Sequence, residues 1–108
     1  MSKRILAKET VELVGQTITV KGWVHARRNM GKVAFLDLRD RTGLLQVVVV
    51  PAELDEASQA IKDEIRPEFV LEVTGIVQAR GEKQINPNMV TGTVEMLATS
   101  VKILNTAE

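Results

Sequence analysis

The chain alternates apolar and polar residues with period two over several short stretches and with a helical period over only one. Thr17–Val24 is the first alternating stretch and predicts a strand. Ile18, Val20 and Val24 fall on one face of it, and Gly22 marks a bulge or tight bend. Val33–Arg39 and Leu44–Val50 predict two more strands, joined as a hairpin across the turn residues Asp40-Arg41-Thr42-Gly43. Phe69–Arg80 reads as a long fourth strand bent at Gly75. Thr93–Ala98 reads as a fifth, its continuation to Leu104 left open. Between the third and fourth strands Leu54, Ala57, Ile61 and Ile65 form one helical stripe. Pro51 opens that helix, where a missing N–H costs little, and Glu53, Asp55 and Glu56 occupy its positive end. Arg66-Pro67 ends it. Residues 1–15 lead in, with a helical turn near Lys8–Val14 closed by Gly15. His25–Lys32 and Gly81–Gly92 read as loops, and Asn105–Glu108 as a tail without structural signal.

The predicted order is β-β-β-α-β-β. Five antiparallel strands with one helix between the third and fourth make an all-β, partly open Greek-key barrel of the OB-fold type, which binds ligands on strands two and three and the loops beside them. At 108 residues the chain is expected to be one domain, residues 1–108. The fold leaves the function open.

Strand parity singles out particular residues. On the second strand Ala34, Leu36 and Leu38 share one face and Val33, Phe35, Asp37 and Arg39 the other. Charged Asp37 and Arg39 cannot be core, so the aliphatic set faces in and Phe35 faces out. On the third strand Gln46 lies opposite in parity to Leu45, Val47 and Val49, which puts it beside Phe35 across the hairpin. An outward ring can stack on an unpaired base, and an amide can pair with its exposed edge. A Phe covered by the N-terminal segment and a solvated Gln fit the pattern as well. Glu95 faces away from Val94 and Met96. A carboxylate can accept both adjacent donors of guanine, although an ordinary surface Glu has the same parity. Trp23 is expected against the barrel edge and His25 at a loop or strand end.

Composition removes other classes. No cysteine rules out disulfides, thiolate zinc sites and cysteine catalysis, and a single histidine argues against a His-based metal site or a Ser-His-Asp triad. No catalytic residue and no metal ligand is expected, nor is a phosphate-cradling glycine loop found. The longest apolar runs, Val33–Leu36 and Val47–Val50, have four residues, which excludes a transmembrane helix or signal peptide. The net charge is zero, but residues 21–32 carry Lys21, Arg27, Arg28 and Lys32 with no acid, whereas residues 52–68 are strongly acidic. A basic loop beside Phe35 and Gln46 suits RNA phosphates; two solvated faces are the plain alternative.

These residues resemble a known family. Gly22-Trp23-Val24-His25-Ala26-Arg27-Arg28, followed by the run Gly31 to Val48 with Phe35, Asp37 and Gln46 in place, is similar to the N-terminal anticodon-binding domain of class IIb aminoacyl-tRNA synthetases. Val73-Thr74-Gly75, Ala79-Arg80, Ile85-Asn86, Thr91 to Ala98 and Ile103 to Ala107 narrow the resemblance to the bacterial-type aspartyl enzymes, over essentially the whole chain. The resemblance implies a cytoplasmic OB-fold domain that binds tRNA, aspartate tRNA with asparagine tRNA as an open alternative. It implies that Phe35 stacks on the middle anticodon base, U, and that Gln46 hydrogen-bonds it. Glu95 would read the first base, G or its queuosine derivative, and Arg28 would serve the third. It also implies positions near the anticodon for Arg80 and Asn86, and a backbone or specificity loop in Arg27, Met30 and Lys32. The full enzymes use ATP and Mg and are homodimers through a catalytic domain. That domain's motifs have no counterpart here, so this chain is expected to hold no cofactor, to be a domain cut from the full enzyme rather than a natural standalone relative, and to be monomeric or weakly associated.

The chain departs from the family at Asn29, where Asp is common, and at Met30 and Gly81, which lie where members vary with tRNA specificity. Two other readings stand beside this one: a general single-strand-binding OB module, which has no use for Glu95, and a protein-interaction OB domain, which binds no RNA.

Overall fold

The computed structural model describes residues 5–89 and 91–106. The basic start Met1–Arg4, Val90 within the predicted loop, and the last two residues of the tail lie outside the described residues. Five strands form a closed barrel: β1 (Thr17–Met30), β2 (Val33–Asp40), β3 (Gly43–Val49), β4 (Val70–Ala79) and β5 (Val94–Asn105), in the spatial order β1-β2-β3-β5-β4 with β4 pairing back to β1. Every pairing is antiparallel except β3–β5. There the expectation of an all-antiparallel barrel fails, and Val47↔Met96 and Val48↔Leu97 make a short parallel seam. The helical segment and β4 lie between these two strands, so β5 reaches β3 running in the same direction.

The inward faces are those the alternation predicts. Val24, Leu36, Val47, Leu71, Val73, Val77, Met96 and Ala98 have no exposed surface, and Ile18, Val20, Ala34, Leu38, Leu45 and Val49 are buried with them. Burial of such side chains is the main favourable term in folding. Gly22 and Gly75 are present for close approach: a Cβ at either would collide with the main chain of Arg39 or Leu97. The β1 irregularity lies a little further on, between Val24 and Ala26, rather than at Gly22, while β4–β5 does shift register at Thr74/Gly75.

Three predicted elements change. His25–Lys32 is not a loop: β1 runs on to Met30, paired with β2, and only Gly31 and Lys32 turn. Gly31 has φ +66°, the first-position conformation for which two-residue II′ hairpin turns select glycine. The helix predicted from Pro51 to Ile65 is broken into a 3-10 turn (Pro51–Glu53), α1 (Glu56–Ile61) and a second 3-10 turn (Lys62–Glu64). Asp55 breaks it by capping α1, its carboxylate accepting from the Ser58 N–H at 2.8 Å. Hydrogen bonding from Ser58, its side chain first and its main chain second, lowers the Asp55 pKa below the usual carboxylate value. Ala57 is therefore exposed. Ser58 is buried instead, its Oγ accepting from the Val101 N–H at 2.7 Å. Near the N-terminus, Ala7–Glu12 forms a 3-10 helix seated on the β2–β3 turn, where Ala7 N–H donates to Asp40 Oδ2 at 2.7 Å and Lys8 N–H to Thr42 Oγ1 at 3.1 Å.

Candidate nucleic-acid interface

The register of β1–β2–β3 sorts the singled-out residues. Phe35 lies opposite Arg28 on one side and Val48 on the other; Asp37 lies opposite Gln46. Cross-strand partners share a face. Phe35, Arg28, Asp37, Gln46 and Val48 therefore stand together on the outside of the barrel. Gln46 is a diagonal rather than a direct neighbour of Phe35. Phe35 is half-buried, its cross-strand neighbour Val48 is buried, and Leu97, paired with Val48 across the β3–β5 seam, is partly exposed. Trp23, expected against the barrel edge, is on the surface with over a third of its area exposed, and His25 is exposed where the register shifts.

The polar groups on this face are linked in one line. Arg28 donates to Asp37 through both terminal nitrogens, Nη1 to Oδ2 at 2.7 Å and Nη2 to Oδ1 at 3.3 Å, and its Nη2 also donates to Gln46 Oε1 at 3.2 Å. Gln46 Nε2 donates to Glu95 Oε1 at 3.0 Å, and Gln78 Nε2 donates to Glu95 Oε2 at 2.9 Å. Each strand contributes one member: Arg28 from β1, Asp37 from β2, Gln46 from β3, Gln78 from β4 and Glu95 from β5. The Asp37 bond raises the Arg28 pKa against the lowering effect of partial burial, so the guanidinium remains a cation. The arrangement offers an apolar ring with a row of donors and acceptors beside it, which is the surface that unpaired bases need.

The loop between β4 and β5 joins the two strands that contribute Gln78 and Glu95 to this row. The profile of the family described as "OB-fold nucleic acid binding domain" (tRNA anti-codon) matches residues 18–104, from β1 through β5. The chain belongs to this family. It is 52% identical over 101 residues to "Aspartate--tRNA(Asp/Asn) ligase" of Bacillus thuringiensis (strain Al Hakam), covering 94% of this chain and 17% of that one. The same figures hold for the ligase of that name from Bacillus cereus (strain B4264). Among solved structures, the aspartyl tRNA synthetase from Entamoeba histolytica superposes with a TM-score of 0.85 at 26% identity, covering 99% of this chain and 22% of that one. The asparaginyl-tRNA synthetase from Pyrococcus horikoshii complexed with asparaginyl-adenylate gives 0.81 at 26%, covering 100% and 24%. The chain thus spans about a sixth of the curated relatives it matches.

The remaining predicted residues of this OB-fold domain are dispersed. Arg80 is only 8% exposed and its guanidinium is occupied by the loop and the first residue of β5. Nε donates to Val94 O at 2.9 Å, Nη1 to Gln84 O at 3.3 Å, and Nη2 to Met89 Sδ at 3.6 Å. Burial lowers its pKa from the usual guanidinium value. Asn86 shapes the same loop: its Oδ1 accepts from Asn88 N–H at 3.0 Å and its own N–H donates to Gly92 O at 3.0 Å. Arg27, next to Arg28, points the other way. Its Nη1 donates to the carbonyls of Lys62 at 2.8 Å and Ile65 at 3.0 Å, and its Nε to Asn29 Oδ1 at 3.0 Å. Among the described residues Met30 is the most exposed of the large apolar side chains, at 65%, on the hairpin tip beside exposed Lys32. Asp37 and Gln78 belong to the row although the sequence marks neither as a site residue. Asp37 shares the outward parity of Phe35, which is a usable signal. Gln78 is visible only through the β4–β5 register that sets it opposite Glu95. Among the described residues no helix is long and apolar enough to cross a membrane.

Proposed function

We propose that this chain is the anticodon-binding domain of an aspartate–tRNA ligase and that it binds the unpaired anticodon bases on the outer face built around Phe35. The observation that carries this reading is the row Asp37–Arg28–Gln46–Glu95–Gln78, which lays donors and acceptors across all five strands beside one half-buried aromatic ring. Phe35 stacks on the middle base, U, and Gln46 meets its edge. Glu95 accepts the two adjacent donors of a first-position guanine, and Arg28 serves the third base and nearby backbone. Arg80 supports this site by holding the β4–β5 loop, with Asn86 in that loop. Met30 and Lys32 border the site from the hairpin tip, while Arg27 anchors that hairpin to the helical segment. The domain works in the cytoplasm on tRNA, as a monomer by itself and as part of a homodimer in the whole ligase. ATP and Mg chemistry belongs to the rest of the relatives' length, so the chain alone charges no tRNA.

Whether one tRNA or two is bound is a separate question, and one observation favours two: the Bacillus relatives are named for both aspartate and asparagine tRNA. The test is fluorescence anisotropy with labelled anticodon stem-loops carrying GUC, GUU or a scrambled triplet, at one fixed low salt. GUC binding tighter than the scramble supports the reading. GUU bound as well as GUC selects the two-tRNA form. Equal binding of all three RNAs, or of none, overturns it in favour of a general single-strand module or a protein-interaction domain.

A further inference from the structure

Glu95 is held from both sides. Gln46 on β3 donates to one carboxylate oxygen at 3.0 Å, and Gln78 on β4 donates to the other at 2.9 Å. Gln78 is the direct cross-strand partner of Glu95, so its amide needs no distortion of the sheet to reach it. A carboxylate has about four acceptor sites on its two oxygens. Two are filled by the amides, which leaves one on each oxygen. Two donors arriving from neighbouring strands, one per oxygen, also oppose rotation of the carboxylate plane.

We infer that Gln78 is a positioning residue for base discrimination: it fixes the Glu95 carboxylate so that its two remaining acceptor sites are presented together to a base edge bearing two adjacent N–H donors. The inference rests on the anticodon reading above. A fixed pair of acceptors favours guanine, with its N1–H and N2 amine, over a base that offers a single donor. A freely turning carboxylate accepts one donor from adenine at little disadvantage. Gln78 therefore governs the preference between bases more than the overall affinity. Gln46 cannot substitute for it, because Gln46 Nε2 already engages the other oxygen and its Oε1 is held by Arg28.

The experiment measures dissociation constants of the 108-residue chain for two stem-loops that differ only at the first anticodon position, G or A. Wild type is measured first. Gln78→Met, similar in length but without a donor, is expected to lower the G-over-A preference by about three- to tenfold, the span of one lost hydrogen bond, while A-loop affinity stays within about twofold. Gln78→Asn, too short to reach Glu95, is expected to match Met. Gln78→Arg, which keeps a donor of sufficient reach, is expected to retain the preference. In a Glu95→Gln background Gln78→Met is expected to change the preference no further, since the two act as one unit. An unchanged preference in Gln78→Met and Gln78→Asn overturns the inference. So does an equal loss for both RNAs accompanied by a lower melting temperature, which would make Gln78 a sheet-stabilising residue only. A wild-type chain without any G-over-A preference fails earlier, at the reading of Glu95 itself, and takes the inference with it.

Discussion

The two faces of the β1–β2 hairpin differ in what their side chains have left to give. Arg27 and Leu36 are cross-strand partners on one face; Arg28 and Phe35 are cross-strand partners on the other, one residue along each strand. On the first face Leu36 is wholly buried and Arg27 is spent on main-chain carbonyls of the helical segment. On the second, Phe35 keeps part of its ring at the surface and Arg28 is engaged only with side chains that can exchange partners. Adjacent arginines in one basic run thus have unlike roles, and strand parity, not charge, decides which is available to a ligand.

The sharpest way to break this comparison is Leu36→Ala. It is expected to cost ~2–5 kcal/mol of stability, read from denaturant midpoints, without changing base preference in the folded fraction. A loss well below that range would mean this face is not tightly packed. The next largest effect is on the other face. Phe35→Ala is expected to weaken binding of a GUC stem-loop by ~1–3 kcal/mol with little change in melting temperature, and an unaltered titration would remove the ring from the interface. The arginine pair sharpens the contrast further. Arg27→Met leaves the Lys62 and Ile65 carbonyls short of a donor and is expected to destabilise by ~1–3 kcal/mol, with only a small loss of RNA affinity. Arg28→Met is expected to cost about 1 kcal/mol of stability, because the arginine it removes is half-exposed, yet to weaken RNA binding clearly. The opposite assignment of those two outcomes would invert the faces.

The smallest effect concerns the helical segment that Arg27 holds. The folded-state pKa of Asp55 is lowered by its bond from Ser58, so between that value and the ordinary carboxylate value the unfolded chain binds more protons. The contribution is complete above the unfolded pKa and is lost as pH falls through the folded one. Asp55→Asn keeps an oxygen for the cap but has no proton to bind. Its melting temperature is expected to fall less steeply with acid than that of wild type, and parallel acid limbs would show that this cap does not contribute to acid sensitivity.

Much of the barrel was legible because period-two alternation reports which side of a strand is dry. That reading places Phe35, Gln46 and Glu95 outside and Leu36, Val47 and Met96 inside, as observed. It fails at residues 25–32 because the hairpin tip has no wholly buried face, so the alternation vanishes although the strand continues. The broken helix was hidden for a different reason: Asp55 reads equally as a first-turn acid and as a cap, and only the cap starts α1 anew. The row of polar side chains depends on which residue of one strand meets which residue of another far along the chain. Periodicity contains no such information, which is why Gln78 went unmarked and Arg80 and Asn86 were identified by resemblance alone.

The short parallel seam also sets an order of events during folding. Gln46 and Glu95 are 49 positions apart, and their strands meet along only Val47↔Met96 and Val48↔Leu97. Closing so long a stretch of chain costs more entropy than forming the local β2–β3 hairpin. Amide protons at the seam are therefore expected to gain protection after those of that hairpin in pulse-labelling experiments. The Gln46–Glu95 bond spans that seam, so a nascent chain with only its β2–β3 hairpin formed still lacks the Glu95 half of the polar row.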